Sequence, residues 1–258
     1  MLRSRHLSTM ASRRWQKHDE FSAQAEEAKE RKETHQKRAD KDEDVRTKIL
    51  DHALAHVPDL GFSKEAIEKG VEAAGLPKVS TGIISNGPID LVHHHYEKSN
   101  SHLELLMKAE VNELKSKEET VKASPFLRKH CETRLKMNVP YMKHWPQALG
   151  MMALPQHHFK SLDYGLNLVD TMWFHAGDRS LDYNWYTKRM MLLGVYKSTE
   201  LAMMSDASAD YKDTWDFLDR RFLDIRDLSG ILKGGPSDIA SILGGVGVTA
   251  KVLMGLPR

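Results

Sequence analysis

The stretch VRTKILDHALAHVPDLGFSKEAIEKGVEAAGL, residues 45–76, decides the fold. Val45, Ile49, Ala53 and Val57 recur every fourth residue, and Leu50 and Leu54 widen that line into a helical face. Pro58 and Gly61 end the helix. Ser63 then stands where an N-cap belongs, and Glu65 to Ala74 reads as a short helix with Ile67, Val71 and Ala74 inward and Gly75 as its stop. Two amphipathic helices joined by a tight turn, with no alternating segment between them, open an all-α chain.

The same periodicity continues outward. Residues 77–88 hold Pro77, Gly82, Gly87 and Pro88 and read as a turn or a broken short helix. Ile89 to about Lys122 returns to helix, with Leu91, Val92, Leu103, Leu106, Met107, Val111 and Leu114 as its apolar positions. Ser124 before Pro125 is a cap followed by proline at the first helical position, and Leu127, Cys131, Leu135 and Val139 follow at spacing four. Further helices start at Ser161 (Leu162, Leu166, Val169, Trp173), at Asp182 (to about Met204) and at Asp210 (Trp215, Leu218, Phe222, Ile225). No segment alternates between hairpin turns, so no strand is expected. The class is all-α with nine or ten helices, and no internal repeat is visible.

Composition narrows the function. The 258 residues carry 38 basic and 36 acidic side chains, a formal charge of +2. Arg3, Arg5, Arg13, Arg14 and Lys17 fall in residues 1–18, which contain no acid; without them 33 basic residues face 36 acidic ones. The body is therefore mildly acidic, unlike a general nucleic-acid binder. The basic, Ser-rich 1–18 segment, broken by Leu2, Leu7, Met10 and Trp15, has the composition of a mitochondrial presequence; a plain basic tail is the other reading. Residues 19–44, dense in charges of both signs, are expected to be a solvated, disordered linker, with local helix from pairs such as Glu27–Arg31. No segment reaches the length of a membrane-spanning helix.

Chemistry-bearing motifs are missing. The lone Cys131 lies on an apolar stripe and reads as a buried structural thiol. No Glu has His three residues later, which excludes the di-iron bundle signature; the zincin, nucleophile-elbow and phosphate-loop motifs are absent too. His93, His94 and His95 are adjacent, and consecutive helical residues point about 100° apart, so they do not converge on one metal and are expected at the surface. No catalytic residue and no metal ligand is assigned. Asp170–Arg189 mixes Trp173, Trp185 and Tyr186 with Asp170, Asp178, Asp182 and Arg189, the composition of an interface hot spot, though the tryptophans also suit a core. In 236–256, Ile239, Ile242, Leu243, Val246 and Leu253 share one helical face, with Asp238 and Lys251 the only charges. That amphipathic helix suits a membrane interface or a docked terminal helix.

Residues 45–97 resemble the amino-terminal region of TetR-type regulators, on the helix before Gly61–Phe62, the Ile67 and Ala73–Leu76 run, and His95–Tyr96. The resemblance implies a helix-turn-helix, a ligand-binding bundle behind it and a homodimer. The motif is degenerate. Between Val79 and Glu97 there is no Lys or Arg, and 50–97 has Lys64, Lys69 and Lys78 against seven acids. Phosphate contacts supply most DNA-binding free energy, so no nucleic-acid partner is expected; a TetR-type ligand-responsive regulator is the alternative, and a free-standing helical enzyme a second rival.

The stretches Tyr141–Leu149, Asp170–Arg189 and Ser198–Met204 resemble the mitochondrial ubiquinone-biosynthesis family usually called "Coq nine". The likeness runs over about 46–256 and is strongest over 124–227. It implies a TetR-like fold, a homodimer, and a protein on the matrix side of the inner mitochondrial membrane that is a peripheral membrane protein and not an enzyme. It also implies that isoprenoid quinone intermediates or phospholipid are bound as ligands, with no cofactor, and presented to the di-iron demethoxyubiquinone hydroxylase. By the same resemblance the partner surface falls on Asp170, Met172, Asp182, Trp185, Tyr186 and Arg189. Arg189 also meets a lipid head group, and 236–256 engages the membrane. An apolar site in the 124–230 bundle would be lined by Leu166, Val169, Leu192, Leu193 and Met203, behind helix-turn-helix-like helices over 45–123.

Overall fold

The computed structural model describes Lys29, 41–179 and 183–232. The 1–18 leader, most of 19–44 and the 236–256 segment lie outside those residues. Among the described residues every regular element is helical. α1 covers 41–54, and the following α-helices are α2 (Val57–Leu60), α3 (Lys64–Ala73), α4 (Pro88–Ser116), α5 (Ala123–Lys136), α6 (Trp145–Met152), α7 (His158–His175), α8 (Tyr183–Met204) and α9 (Lys212–Leu232). Short 3-10 turns at Lys78–Ile83, Val139–His144 and Ala209–Tyr211 join them. The all-α expectation holds, and the element order is compatible with a TetR-like frame.

Local chemistry explains most boundaries. Residues 41–44, the end of the charged stretch, are helical and exposed. Ser63 caps α3 by accepting a hydrogen bond from the Ala66 N–H, and Gly75 turns out of it at φ +71°. Pro58 opens the one-turn α2 rather than closing α1. α4 begins at Pro88; its Asp90 carboxylate accepts from the Asn86 N–H and Nδ2 and pairs with Arg46 at 3.2 Å. Three expected starts move. α5 begins at Ala123, so Ser124 lies inside it and supplies no cap. α7 begins at His158, which puts Ser161 inside the helix as a buried residue. Its core face is Leu168, Val169 and Met172, and Leu162 is exposed. α9 begins at Lys212, and Asp206 holds its start by accepting from the Ser208 and Thr214 N–H groups and the Thr214 hydroxyl.

Two cores result. The first gathers Ile49, Leu50, Ala53, Val57, Phe62, Ile67, Val71, Leu91, Val92 and Trp145 from α1–α4 and α6. The second gathers Leu103, Met107, Leu127, Cys131, Leu135, Leu168, Leu192, Tyr196 and Leu218 from α4, α5, α7, α8 and α9. The 29-residue α4, about 43 Å long by its rise, serves both. α8 packs on α7 and α9, and α4 on α5 and α7.

A buried polar cluster joins the two cores. Glu200 accepts from the Tyr96 hydroxyl at 2.9 Å, from Trp145 Nε1 at 3.3 Å and from Lys197 Nζ at 2.8 Å. Asn138 links it to Arg134, whose Nη1 donates to Asn138 Oδ1 at 2.9 Å. The Arg134 guanidinium lies 4.9 Å from the Tyr96 ring centroid. Burial, then the Glu200 charge, pushes the Tyr96 hydroxyl pKa upward, so it remains a donor.

Candidate functional site

The segment from Asp170 to Arg189 spans the end of α7, a turn and the start of α8. Arg189 organises it. Its Nε donates to Asp170 at 2.6 Å, and its Nη1 donates to Asp178 at 3.2 Å and to the Trp185 carbonyl at 3.2 Å. The guanidinium also stacks 4.1 Å from the Trp185 ring centroid. Arg189 is only 5% exposed. Its planar fork suits this multi-point grip on two helices and the turn between them. Asp178 is held a second time by Lys188 at 2.7 Å.

The grip sets what faces outward. Trp185 is half-buried against Arg189, and its edge meets Tyr186 at 4.7 Å between centroids. Tyr186 is 66% exposed, with Met190 one turn on and Phe174 at the end of α7 also exposed. Arg179 covers the Phe174 ring at 4.1 Å. A charged scaffold thus presents an apolar, aromatic surface, the chemistry of a protein-binding hot spot.

Of the six residues assigned to a partner surface, the structure brings Asp170, Trp185, Tyr186 and Arg189 together. Met172 is a correction: it lies wholly buried in the second core, 4.0 Å from the Cys131 sulfur, and reaches no surface. The i+2 step from Asp170 turns it to the inner side of α7. Asp182 lies outside the described residues. Arg189 carries the aromatic surface from beneath and is itself not open to a lipid head group in this arrangement. Phe174 and Met190 were missed as site residues, and Asp178 was read as part of the hot-spot composition without being assigned to the partner surface. Asp178 had a signal, an acid beside Arg179 in the turn, but its pairing with a residue eleven positions on is a tertiary fact.

The residues expected to line a lipid site do cluster. Val169, Leu192, Leu193 and Met203 are buried together in the second core, with Leu166 half-buried against them. Gly165 allows the approach of α7 to α8, since a Cβ there would stand 2.9 Å from Leu193 Cδ1. In this structure they pack on one another and on Leu168, Tyr196 and Leu218. Ile239, Ile242, Leu243, Val246 and Leu253 lie outside the described residues. Among the described residues no helix is long and apolar enough to cross a membrane.

The three histidines correct the sequence reading of a surface cluster: His93, His94 and His95 are 3%, 8% and 3% exposed. They diverge to separate partners. His93 Nε2 lies 3.4 Å from Ser161, His94 Nε2 3.1 Å from Asp51 and His95 Nε2 2.9 Å from Asn138. Burial lowers the pKa of His93 to about 4 and that of His95 to about 3, so both are neutral imidazoles. Among the described residues no group of three or more His, Cys, Asp or Glu is placed to hold a metal ion. Cys131 is buried, and burial pushes its thiol up to about 12, as a structural cysteine requires. Between Val79 and Glu97, where a recognition helix would lie, the chain makes the 3-10 turn Lys78–Ile83, with Val79 exposed, and then the buried first turns of α4.

The family model described as COQ9 matches residues 159–229, the span of α7, α8 and most of α9. The chain is 39% identical over 219 residues to the mitochondrial ubiquinone biosynthesis protein COQ9 of Rattus norvegicus, covering 83% of this chain and 70% of that protein. It is 37% identical over 219 residues to that of Homo sapiens, with 83% and 69% covered. With the protein of that name from Drosophila melanogaster it shares 40% identity over 177 residues, with 69% and 54% covered.

Proposed function

The chain belongs to the COQ9 family, and on that premise we propose that it serves mitochondrial ubiquinone biosynthesis as a lipid-binding accessory protein rather than as an enzyme. It shelters an isoprenoid quinone intermediate among the apolar residues between α7 and α8 and presents it to the di-iron demethoxyubiquinone hydroxylase. The names of the relatives support the biosynthetic role and the mitochondrial setting. The observation that carries the docking role is the Arg189 grip, which ties α7 to α8 and holds Trp185, with the exposed Tyr186 beside it, at the start of the helix that also contains Leu192 and Leu193.

A polyprenyl tail is insoluble in water and gains from burial at about 25 cal/mol per Å² of apolar surface. A bundle whose α7–α8 contact opens to admit the tail's proximal part lowers that exposure while the head group moves to the partner. The redox metal then belongs to the partner, which fits the absence of catalytic motifs in the sequence. A homodimer on the matrix face of the inner membrane, attached through 236–256, completes the reading.

The test is capture of the hydroxylase and recovery of ubiquinone with Tyr186→Ala. Tyr186 is 66% exposed and belongs to neither core, so the fold should be unchanged while capture falls by at least tenfold. Trp185→Ala should do the same at some cost in stability, because it also uncovers Arg189. Normal capture and normal ubiquinone with both variants would refute the docking surface. Lipid extraction from natively purified protein, with no isoprenoid found by mass spectrometry, would refute the binding role.

A further inference from the structure

Between α1, α4 and the 3-10 turn after α5 runs an open groove of about 640 Å³, within the size range of small-molecule sites. Its apolar walls are Leu54, Leu105, Met137, Pro140 and Tyr141. Leu105 projects from α4 63% exposed. Lys98 and His102, one helical turn apart on α4, stand along the same groove, and the buried His95 lines it.

One carboxylate and one ammonium line this groove. Asp51 on the α1 wall is already met from two sides, by Lys98 Nζ at 2.5 Å and His94 Nε2 at 3.1 Å. An ammonium has three donors, and the exposed Lys98 commits one to Asp51. Behind His95 lies the buried Arg134, whose bonds go to the neutral amides of Asn100 and Asn138; its Nη2 has no partner among the described residues. Burial first, then the Arg134 charge, lowers the His95 pKa, so the imidazole lines the groove as a neutral ring.

From this complementarity we propose that the groove binds a free amphiphile with a single anionic head, carboxylate or phosphate. The head meets Lys98 and His102, and an acyl-like chain lies over Leu105, Met137 and Tyr141. None of Leu166, Val169, Leu192, Leu193 and Met203 lines the groove, although Met137 also packs on their core, so the site is tested apart from the function proposed above.

The experiment uses the full chain with a diazirine-bearing dodecanoate below its critical micelle concentration, followed by mass-spectrometric mapping. Saturable labelling of residues 98–105 and 137–141 is expected. Lys98→Met should weaken dodecanoate and dodecyl phosphate about tenfold, as loss of a charge-assisted contact does, and leave dodecanol unchanged. Leu105→Gln should weaken all three. Both side chains are exposed, so the fold is kept, as circular dichroism will verify. Labelling confined to α7 and α8, an equal loss for dodecanol in Lys98→Met, or labelling only from anionic phosphatidylglycerol vesicles would overturn the proposal.

Discussion

Gly70→Ala tests the packing that sets the position of α1, one wall of the groove. Gly70 lies in α3 where it crosses α1. A Cβ added there would sit 2.6 Å from Ala53 Cβ, 2.7 Å from the Ala53 nitrogen and 2.7 Å from the Ile49 carbonyl oxygen. Comfortable carbon contacts begin near 3.5 Å, so the two helices must part by roughly 1 Å. Two of the three atoms are backbone and cannot rotate aside. Overpacking of this kind costs about 1–3 kcal/mol, and the upper end is expected here. Helix propensity works the other way, by about 1 kcal/mol in favour of Ala. The net loss is about 2 kcal/mol, or a Tm lower by roughly 4–8 °C for a chain of this size. Urea unfolding followed by circular dichroism at 222 nm measures it. Gly150→Ala in α6 is the matched control, because a Cβ there meets nothing within 4 Å. It should be neutral or stabilising by up to about 1 kcal/mol. If Gly70→Ala matched the control in sign, the α1–α3 close approach would be refuted.

Four further outcomes follow from other sites. Arg189→Met leaves Asp178 without its guanidinium partner and should cost about 2 kcal/mol, discounted from the figure for a buried pair because Asp170 is half exposed; an unchanged urea midpoint would contradict the grip. His93 and His95, with folded pKa values near 4 and 3, stay neutral where the unfolded chain protonates. Their stabilisation is complete above pH 6.5 and is lost as pH falls toward 4 and 3, and a urea midpoint flat between pH 7 and pH 4.5 would exclude this. Asp206 has its pKa lowered to about 2 by hydrogen bonds from Ser208 and Thr214 that outweigh its desolvation. Asp206→Ala should therefore cost about 1 kcal/mol at pH 7, as lost caps do; this deficit should shrink as pH falls from 4 toward 2, and a constant deficit would count against the cap. Cys131 should react with Ellman's reagent only after denaturation, and rapid labelling of native protein would contradict its burial.

The sequence was most readable where a residue acts on its own neighbourhood. The stripe of Ile49, Leu50, Ala53 and Leu54, the Ser63 cap and the Gly75 stop are all local, and each appears in the structure where the spacing puts it. Readings failed where a residue's role is set by a distant helix. Ser161 looks like a cap but is buried inside α7 near His93, and Met172, two positions from the surface-facing Asp170, points into the core. The histidine run looked solvated because polarity at three consecutive positions carries no outward face; Asp51, Asn138 and Ser161, 43 to 68 residues away, supply the partners that make burial affordable in hydrogen bonds.

The sequence by itself determined the helical class, the two-helix opening, the acidic body and the segment that carries the exposed aromatics. These follow from periodicity and local capping, which act within a turn or two of chain. Only the tertiary structure decided that Arg189 lies beneath those aromatics, that Asn138 bridges Arg134 to Glu200 between the two cores, and that α1 and α4 leave a groove beside Lys98. Those are agreements between side chains far apart in the chain, and no single segment's pattern encodes the distance across which they meet.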